Sequence, residues 1–203
     1  MGSRNPAKRE HGMRFFITGV SCVGKTSIGE ILASRLNCRF YDLDAEIERF
    51  FKTSIERLRN QFLTDESFRN EAAKALMNIL ANPESRNSVV ALPPGGLMGR
   101  YLRALRKTGG ISVVLMDKPE NILKRITFYD IDSRPIEKLL TEKEKLFYLR
   151  EIKKDITYYR KSYDRADIRV DISGMSVEAA SEKARQSITY WLAIRWQSME
   201  AVR

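Results

Sequence analysis

The chain has 203 residues, 43 % apolar and 31 % charged, with 36 Lys and Arg against 26 Asp and Glu for a net charge of +10. That is a globular composition of single-domain size; no apolar run reaches the roughly 18–20 residues of a membrane span, and the basic N-terminus lacks the apolar stretch of a secretory signal. One histidine (His11) and two cysteines (Cys22, Cys38) leave no zinc ligand set, no histidine-based catalysis and no disulfide framework, so a cytoplasmic location is expected.

Residues 1–12 are polar and are expected to be a disordered leader or a cloning remnant, ahead of a single domain over 13–203. The apolar run 14–18 (RFFIT) reads as a buried strand. Helical spacing of Ile28, Ile31, Leu32 and Leu36 predicts a helix over 25–36. A second strand is expected at 39–43, then helices in two or three pieces over 44–82, ended by Asn82-Pro83. Strands at 88–92, 111–117 and 167–172 follow, with helices at 97–107, after Lys118-Pro119, at 142–162 and at 176–198. The last helix is expected to pack on the sheet through Trp191, Leu192, Ile194 and Trp196. Residues 127–141 have no period. Short apolar strands alternating with helices specify an α/β fold: a five-stranded parallel sheet with helices on both faces, three layers in all. Ligands in such sheets gather at the carboxyl ends of the strands, here just after residues 18, 43, 92 and 117.

The first of these places carries Gly19-Val20-Ser21-Cys22-Val23-Gly24-Lys25-Thr26, followed by Ser27. This is G-x-x-x-x-G-K-T between a strand and a helix, the context in which the motif is a phosphate-binding loop. Gly19 and Gly24 permit the tight turn, and backbone N–H groups from Cys22, Val23 and the helix start face phosphate oxygens. Lys25 reaches the terminal phosphates and the Thr26 hydroxyl can ligate Mg²⁺, so ATP or GTP binding is expected. The second strand ends in Asp42-Leu43-Asp44. Strand alternation would put both carboxylates on one face, where they could serve a metal and a substrate hydroxyl, although D-x-D alone is common as a solvated helix cap.

The loop followed by FYDLDAEIE resembles the shikimate kinase family, and the likeness continues in order over residues 14–190. Thr53-Ser54-Ile55 resembles the family's segment before its F-R element, and that element here reads Glu66-Ser67-Phe68-Arg69-Asn70-Glu71. Val89–Gly96 stands at its strand and G-G-G turn, 113–125 at its next strand and helix, Ser133-Arg134-Pro135 at its lid, and Tyr159–Asp167 at its R-x-x-Y…A-D element. The resemblance implies a P-loop kinase fold with a mobile lid at about 127–141, substrate-binding helices at about 44–82, and ATP-dependent phosphorylation of the 3-hydroxyl of shikimate. It implies that Asp44 holds and orients the hydroxyls, that Asp42 supports Mg²⁺ through water, and that Arg69, with Glu71 near it, pairs with the substrate carboxylate. Gly95, with Gly96, would offer backbone N–H, Arg134 would close from the lid onto the ATP phosphates, and Arg160 would be the second carboxylate clamp. Arginine suits both anions because its planar fork binds two oxygens.

Three positions depart from the family's pattern. Pro94 replaces the first glycine of the G-G-G turn, Cys22 stands where the loop usually has glycine, and the spacing after Arg160 is one residue short. They leave open a sister kinase with a gluconate-like or nucleoside monophosphate acceptor, or a nucleotide-binding regulator without catalysis. Arg100, Arg103, Arg106 and Lys107 share one predicted helix, but no aromatic–basic interleaving accompanies them. The excess charge is therefore read as a basic surface around a site for anionic small molecules, with no nucleic-acid or membrane partner and a monomeric state expected.

Overall fold

The structure, a computed structural model, describes residues 12–200, the side chains of 198–200 excepted. The expected leader at 1–11, with His11, lies outside the described residues. The chain runs β1 (Arg14–Thr18), α1 (Lys25–Arg35), β2 (Arg39–Asp42), α2 (Leu43–Phe51), α3 (Ile55–Arg59), α4 (Asp65–Ala81), β3 (Ser88–Ala91), α5 (Gly99–Arg106), β4 (Ile111–Met116) and α6 (Pro119–Leu123). It continues with β5 (Phe128–Tyr129), β6 (Pro135–Ile136), α7 (Glu142–Tyr163), β7 (Ile168–Asp171) and α8 (Val177–Glu200). Five strands form one parallel sheet in the order β2-β3-β1-β4-β7, as the alternation of elements leads one to expect.

The pleat divides the core in two. Along β1, Phe15 and Ile17 face one side and pack with Leu32 of α1, Val113 and Leu115 of β4, and Ile188 of α8. Phe16 faces the other side, with Ile47 of α2, Leu76 of α4, and Tyr101 and Leu105 of α5. Strands buried on both faces explain why the sequence shows apolar runs there rather than alternation. On α8, Trp191 and Leu192 pack against the first cluster as expected, whereas Ile194 and Trp196 are exposed.

The helical stretch after β2 is broken where the sequence supplies caps. Ser54 caps α3, and the Thr64 hydroxyl accepts from Ser67 N (3.1 Å) to start α4. Asn82 ends α4, and the 3₁₀ turn Pro83–Arg86 leads into β3. A capping box of Thr141 and Glu144 starts α7. Arg14 ties the sheet to this corner. Its guanidinium donates to Leu80 O and Ser85 O, each at 3.0 Å, and to Ser85 Oγ at 3.0 Å.

Two differences from expectation have local causes. The helix expected from residue 97 begins at Gly99, because Gly96 N donates to Pro93 O (2.8 Å) and Met98 N to Gly95 O (3.0 Å), holding 93–98 as a turn. The aperiodic 127–141 contains an antiparallel hairpin, β5 with β6, whose two-residue strands are too short to display a period.

Candidate active site

Between β1 and α1 the chain makes a loop whose shape depends on its glycines. Gly19 has φ +149°, and a Cβ there would meet Leu115 O at 2.6 Å and Val23 Cγ1 at 2.9 Å. Gly24 has φ +105° and precedes the first residue of α1. Cys22, at the position the family gives to glycine, adopts φ 59°, so a small non-glycine residue is accommodated in the left-handed region. The first turn of α1 has no side-chain cap, which leaves its N–H groups for an anion. Val23 is buried and anchors the loop, while Thr26 and Ser27 are exposed at its mouth. Lys25 folds back and donates to Gly19 O (3.1 Å) and Val20 O (3.0 Å). Burial pushes its ammonium pKa down, opposed chiefly by the Asp44 carboxylate.

The D-x-D pair is arranged by a helix cap rather than by strand alternation. The strand ends at Asp42 and α2 begins at Leu43, so Asp44 already sits in the first turn. Asp42 Oδ1 accepts from Asp44 N (2.9 Å), and Asp42 Oδ2 accepts from Thr26 Oγ1 (2.6 Å). The same aspartate thus caps α2 and joins β2 to the phosphate loop. Asp44 remains accessible to solvent at the cleft floor, yet surrounding protein and then the Asp42 charge push its pKa up to about 6, against the pull of Lys25 and Arg59. The Thr26 hydroxyl beside the Asp42 carboxylate is a pair of hard oxygen donors, suited to a cation that keeps most of its other ligands as water or phosphate. No group of three or more His, Cys, Asp or Glu able to hold a metal by itself occurs among the described residues.

Next to the end of β2 in the sheet lies the turn after β3. The Arg69 side chain passes so close to Gly95 that a Cβ there would meet Arg69 Cδ at 3.1 Å. Gly96 has no room either: its Cβ would lie 2.5 Å from Leu92 Cβ. Pro94 fits because the turn's hydrogen bonds come from Gly96 N and Met98 N, so no N–H is needed at 94. Beneath this turn Tyr101 is buried, its hydroxyl without a hydrogen-bond partner. Asp44, Arg69 and Arg59 all act electrostatically on that phenol, whose pKa burial raises.

Other sequence-predicted residues lie apart. Arg134 is exposed on the β5–β6 hairpin, and its side chain makes no hydrogen bond or ion pair among the described residues. The hairpin tip instead docks on α2 and α3. Ser54 Oγ donates to Ile131 O, Ser133 Oγ to Glu48 Oε1, and Arg57 Nε to Asp132 Oδ1 at 2.7 Å. Glu71 pairs with Lys74 one turn along α4 and turns away from Gly95's neighbour Arg69 in its bonding. Arg160 is exposed on α7 with no side-chain hydrogen bond or ion pair; its neighbour Tyr159 is the α7 residue on which Arg69 acts.

Just after residue 117, one of the places expected from the sheet, lies a small open pocket at the carboxyl ends of β4 and β7, lined by Asp117, Asn121, Lys124, Arg125, Gly174 and Met175, residues that the sequence reading did not single out. The Asp117 carboxylate is buried there and holds Asn121 Nδ2 (2.8 Å), Lys118 N (2.7 Å) and Arg125. An aspartate at the end of a strand before Lys-Pro was the available signal.

The family model described as shikimate kinase matches residues 21–189. A shikimate kinase of Geobacter sulfurreducens is 32 % identical over 167 residues, covering 82 % of this chain and 86 % of the relative. Among solved structures, the shikimate kinase of Bacteroides thetaiotaomicron superposes with TM-score 0.69 at 22 % identity, covering 89 % of this chain and 98 % of that one. The shikimate kinase of Acinetobacter baumannii, solved in complex with shikimate, has TM-score 0.66 at 25 % identity, covering 91 % and 98 %.

Proposed function

The chain belongs to the shikimate kinase family, and from that premise we propose that it transfers the terminal phosphoryl group of ATP to the 3-hydroxyl of shikimate, with Mg²⁺. The observation that carries the reading is the position of Asp44. It shares the cleft with Lys25 and the Thr26–Asp42 pair, and it acts on Tyr101 together with Arg69.

The phosphate loop and the free N–H groups of α1 bind the ATP phosphates, with Lys25 as the adjacent cation. The pocket at Asp117 receives the nucleoside end. Thr26 and Asp42 would hold the metal, directly and through water. Mg²⁺, when bound, neutralises phosphate charge as it develops in the transition state. Asp44 is mostly ionised at pH 7, so its carboxylate can accept a hydrogen bond from the attacking hydroxyl and take its proton as the new P–O bond forms. Arg69 binds the acceptor's carboxylate. The Gly95 N–H has no intramolecular partner among the described residues and can donate to the acceptor. On closing over the nucleotide, the hairpin would bring the exposed Arg134 to the phosphates and exclude water, so hydrolysis would not compete. The protein acts in this reading as a cytoplasmic monomer.

A coupled ADP-release assay over shikimate, gluconate and nucleoside monophosphates tests the acceptor. ADP release with shikimate, and a product phosphorylated at the 3-hydroxyl by NMR, is expected. Turnover of another acceptor with none on shikimate would overturn the proposal.

A further inference from the structure

We propose that Arg59, at the end of α3, is the second cation of the acceptor's carboxylate clamp, paired with Arg69 in the role that the sequence motif alone gives to Arg160. The inference rests on the shikimate reading above.

Arg57 and Arg59 are two positions apart on α3, about 200° around the helix axis, so they leave it in different directions. Arg57 goes to Asp132 of the hairpin. Arg59 turns to α4, where its guanidinium lies 5.0 Å from the centroid of the Phe68 ring. Phe68 immediately precedes Arg69, whose stem packs on Gly95. A guanidinium lying on a ring is held in orientation while its edge N–H groups stay free for a planar anion. The competing partner of Arg59 is Glu56, at 3.4 Å and half-exposed, a contact that solvent makes weak.

Electrostatics point the same way. Arg59 acts on both Asp44 and Tyr101, and Arg69 acts on Tyr101, so the two cations meet at the phenol on which Asp44 also acts. The α7 residue in Arg69's field is Tyr159, which carries no positive charge. A carboxylate held in Arg69's fork still has a second lone pair on each oxygen, and Arg59 supplies a cation for them from α3.

Calorimetric titration of the full-length protein with shikimate and with its neutral methyl ester tests this, alongside steady-state KM values. Arg59→Ala is expected to weaken shikimate at least tenfold, and more than Arg160→Ala does. It should leave KM for ATP within about twofold, and its penalty should shrink to within about threefold for the ester. Arg59→Gln, which retains a stem to lie on Phe68, should give the same pattern, with thermal unfolding checking that each variant is folded. An unchanged shikimate affinity in folded Arg59→Gln, an equal loss for the ester, or a larger loss in Arg160→Ala overturns the inference. Failure of wild-type protein to bind or turn over shikimate overturns the proposed function and the inference together; normal wild-type turnover with unaffected Arg59 variants overturns the inference alone.

Discussion

Asp44 carries opposite demands on one carboxyl group. In the proposed reaction it must be ionised, yet its surroundings push its pKa from 3.8 up to about 6. Between these values the folded chain binds more protons than the unfolded chain, so the Asp44 contribution to stability falls as pH rises from about 4 to 6 and stays low above that. A shift of this size corresponds to ~3 kcal/mol, and solvent access to the cleft floor leaves about 1 kcal/mol of it. Asp44→Asn is therefore expected to unfold at a higher temperature than wild type at pH 7.5 and at an equal one near pH 4, while its activity drops at least ~100-fold. In wild type, kcat/KM should fall about tenfold per pH unit below 6. At Gly95 the expected effect is the reverse combination. In Gly95→Ala the new methyl meets only the flexible Arg69 stem, so stability changes by less than about 1 kcal/mol while KM for shikimate rises severalfold as the guanidinium is displaced. Gly19, Lys25 and Thr26 are legible in the sequence because their function is local, one loop with one spacing. Arg59 and Tyr101 are not, since α3 and α5 bring them to Asp44 only through packing around α4.

Each functional element here is held by a neighbour that the sequence does not place beside it. The hairpin tip is the clearest case: residues 131–133 bond to Glu48, Ser54 and Arg57, which ties the hairpin to α2 and α3. Glu48 Oε1 also accepts from Ile55 N (2.9 Å), which ties the α2–α3 junction to the same clasp. Arg57→Ala is expected to accelerate limited proteolysis within 130–134 severalfold with less than about 1 kcal/mol lost in global stability, because the lost pair is exposed and only local opening changes. An unchanged cleavage rate would show that Asp132 does not hold the tip. The hairpin's existence was hidden by its length, but Asp130 is a turn residue in plain view. Its carboxylate accepts from Asp132 N (2.8 Å) and Arg134 N (2.9 Å). The D-x-D pair was found for the wrong geometric reason. Ladder alternation and an N-cap both bring residues i and i+2 near one another, and only the structure tells them apart.

For the molecule as a whole, the sheet gathers the candidate site, since the carboxyl ends of β1, β2, β3 and β4 all open on one edge. Strand runs and helix periods made this architecture readable, because parallel strands covered on both faces are marked by unbroken apolar stretches. Phe16 lies in the cluster under α4 and α5 and is 1 % exposed, so Phe16→Ala is expected to cost about 3–5 kcal/mol by chemical denaturation and to loosen the acceptor helices with the core. The strand order has a consequence in time as well as in space. Every neighbouring pair in the sheet joins distant parts of the chain, from Arg39 with Ser88 at the nearest to Phe15 with Ile111 at the farthest. No hairpin within the sheet can form early and template the rest, so β1 stays unpaired until β3, ending at Ala91, has been made and gains its second partner only with β4, ending at Met116. During synthesis its apolar residues wait without a partner, and the ribosome must release the chain through Met116 before the strand that carries the phosphate loop is paired on both sides.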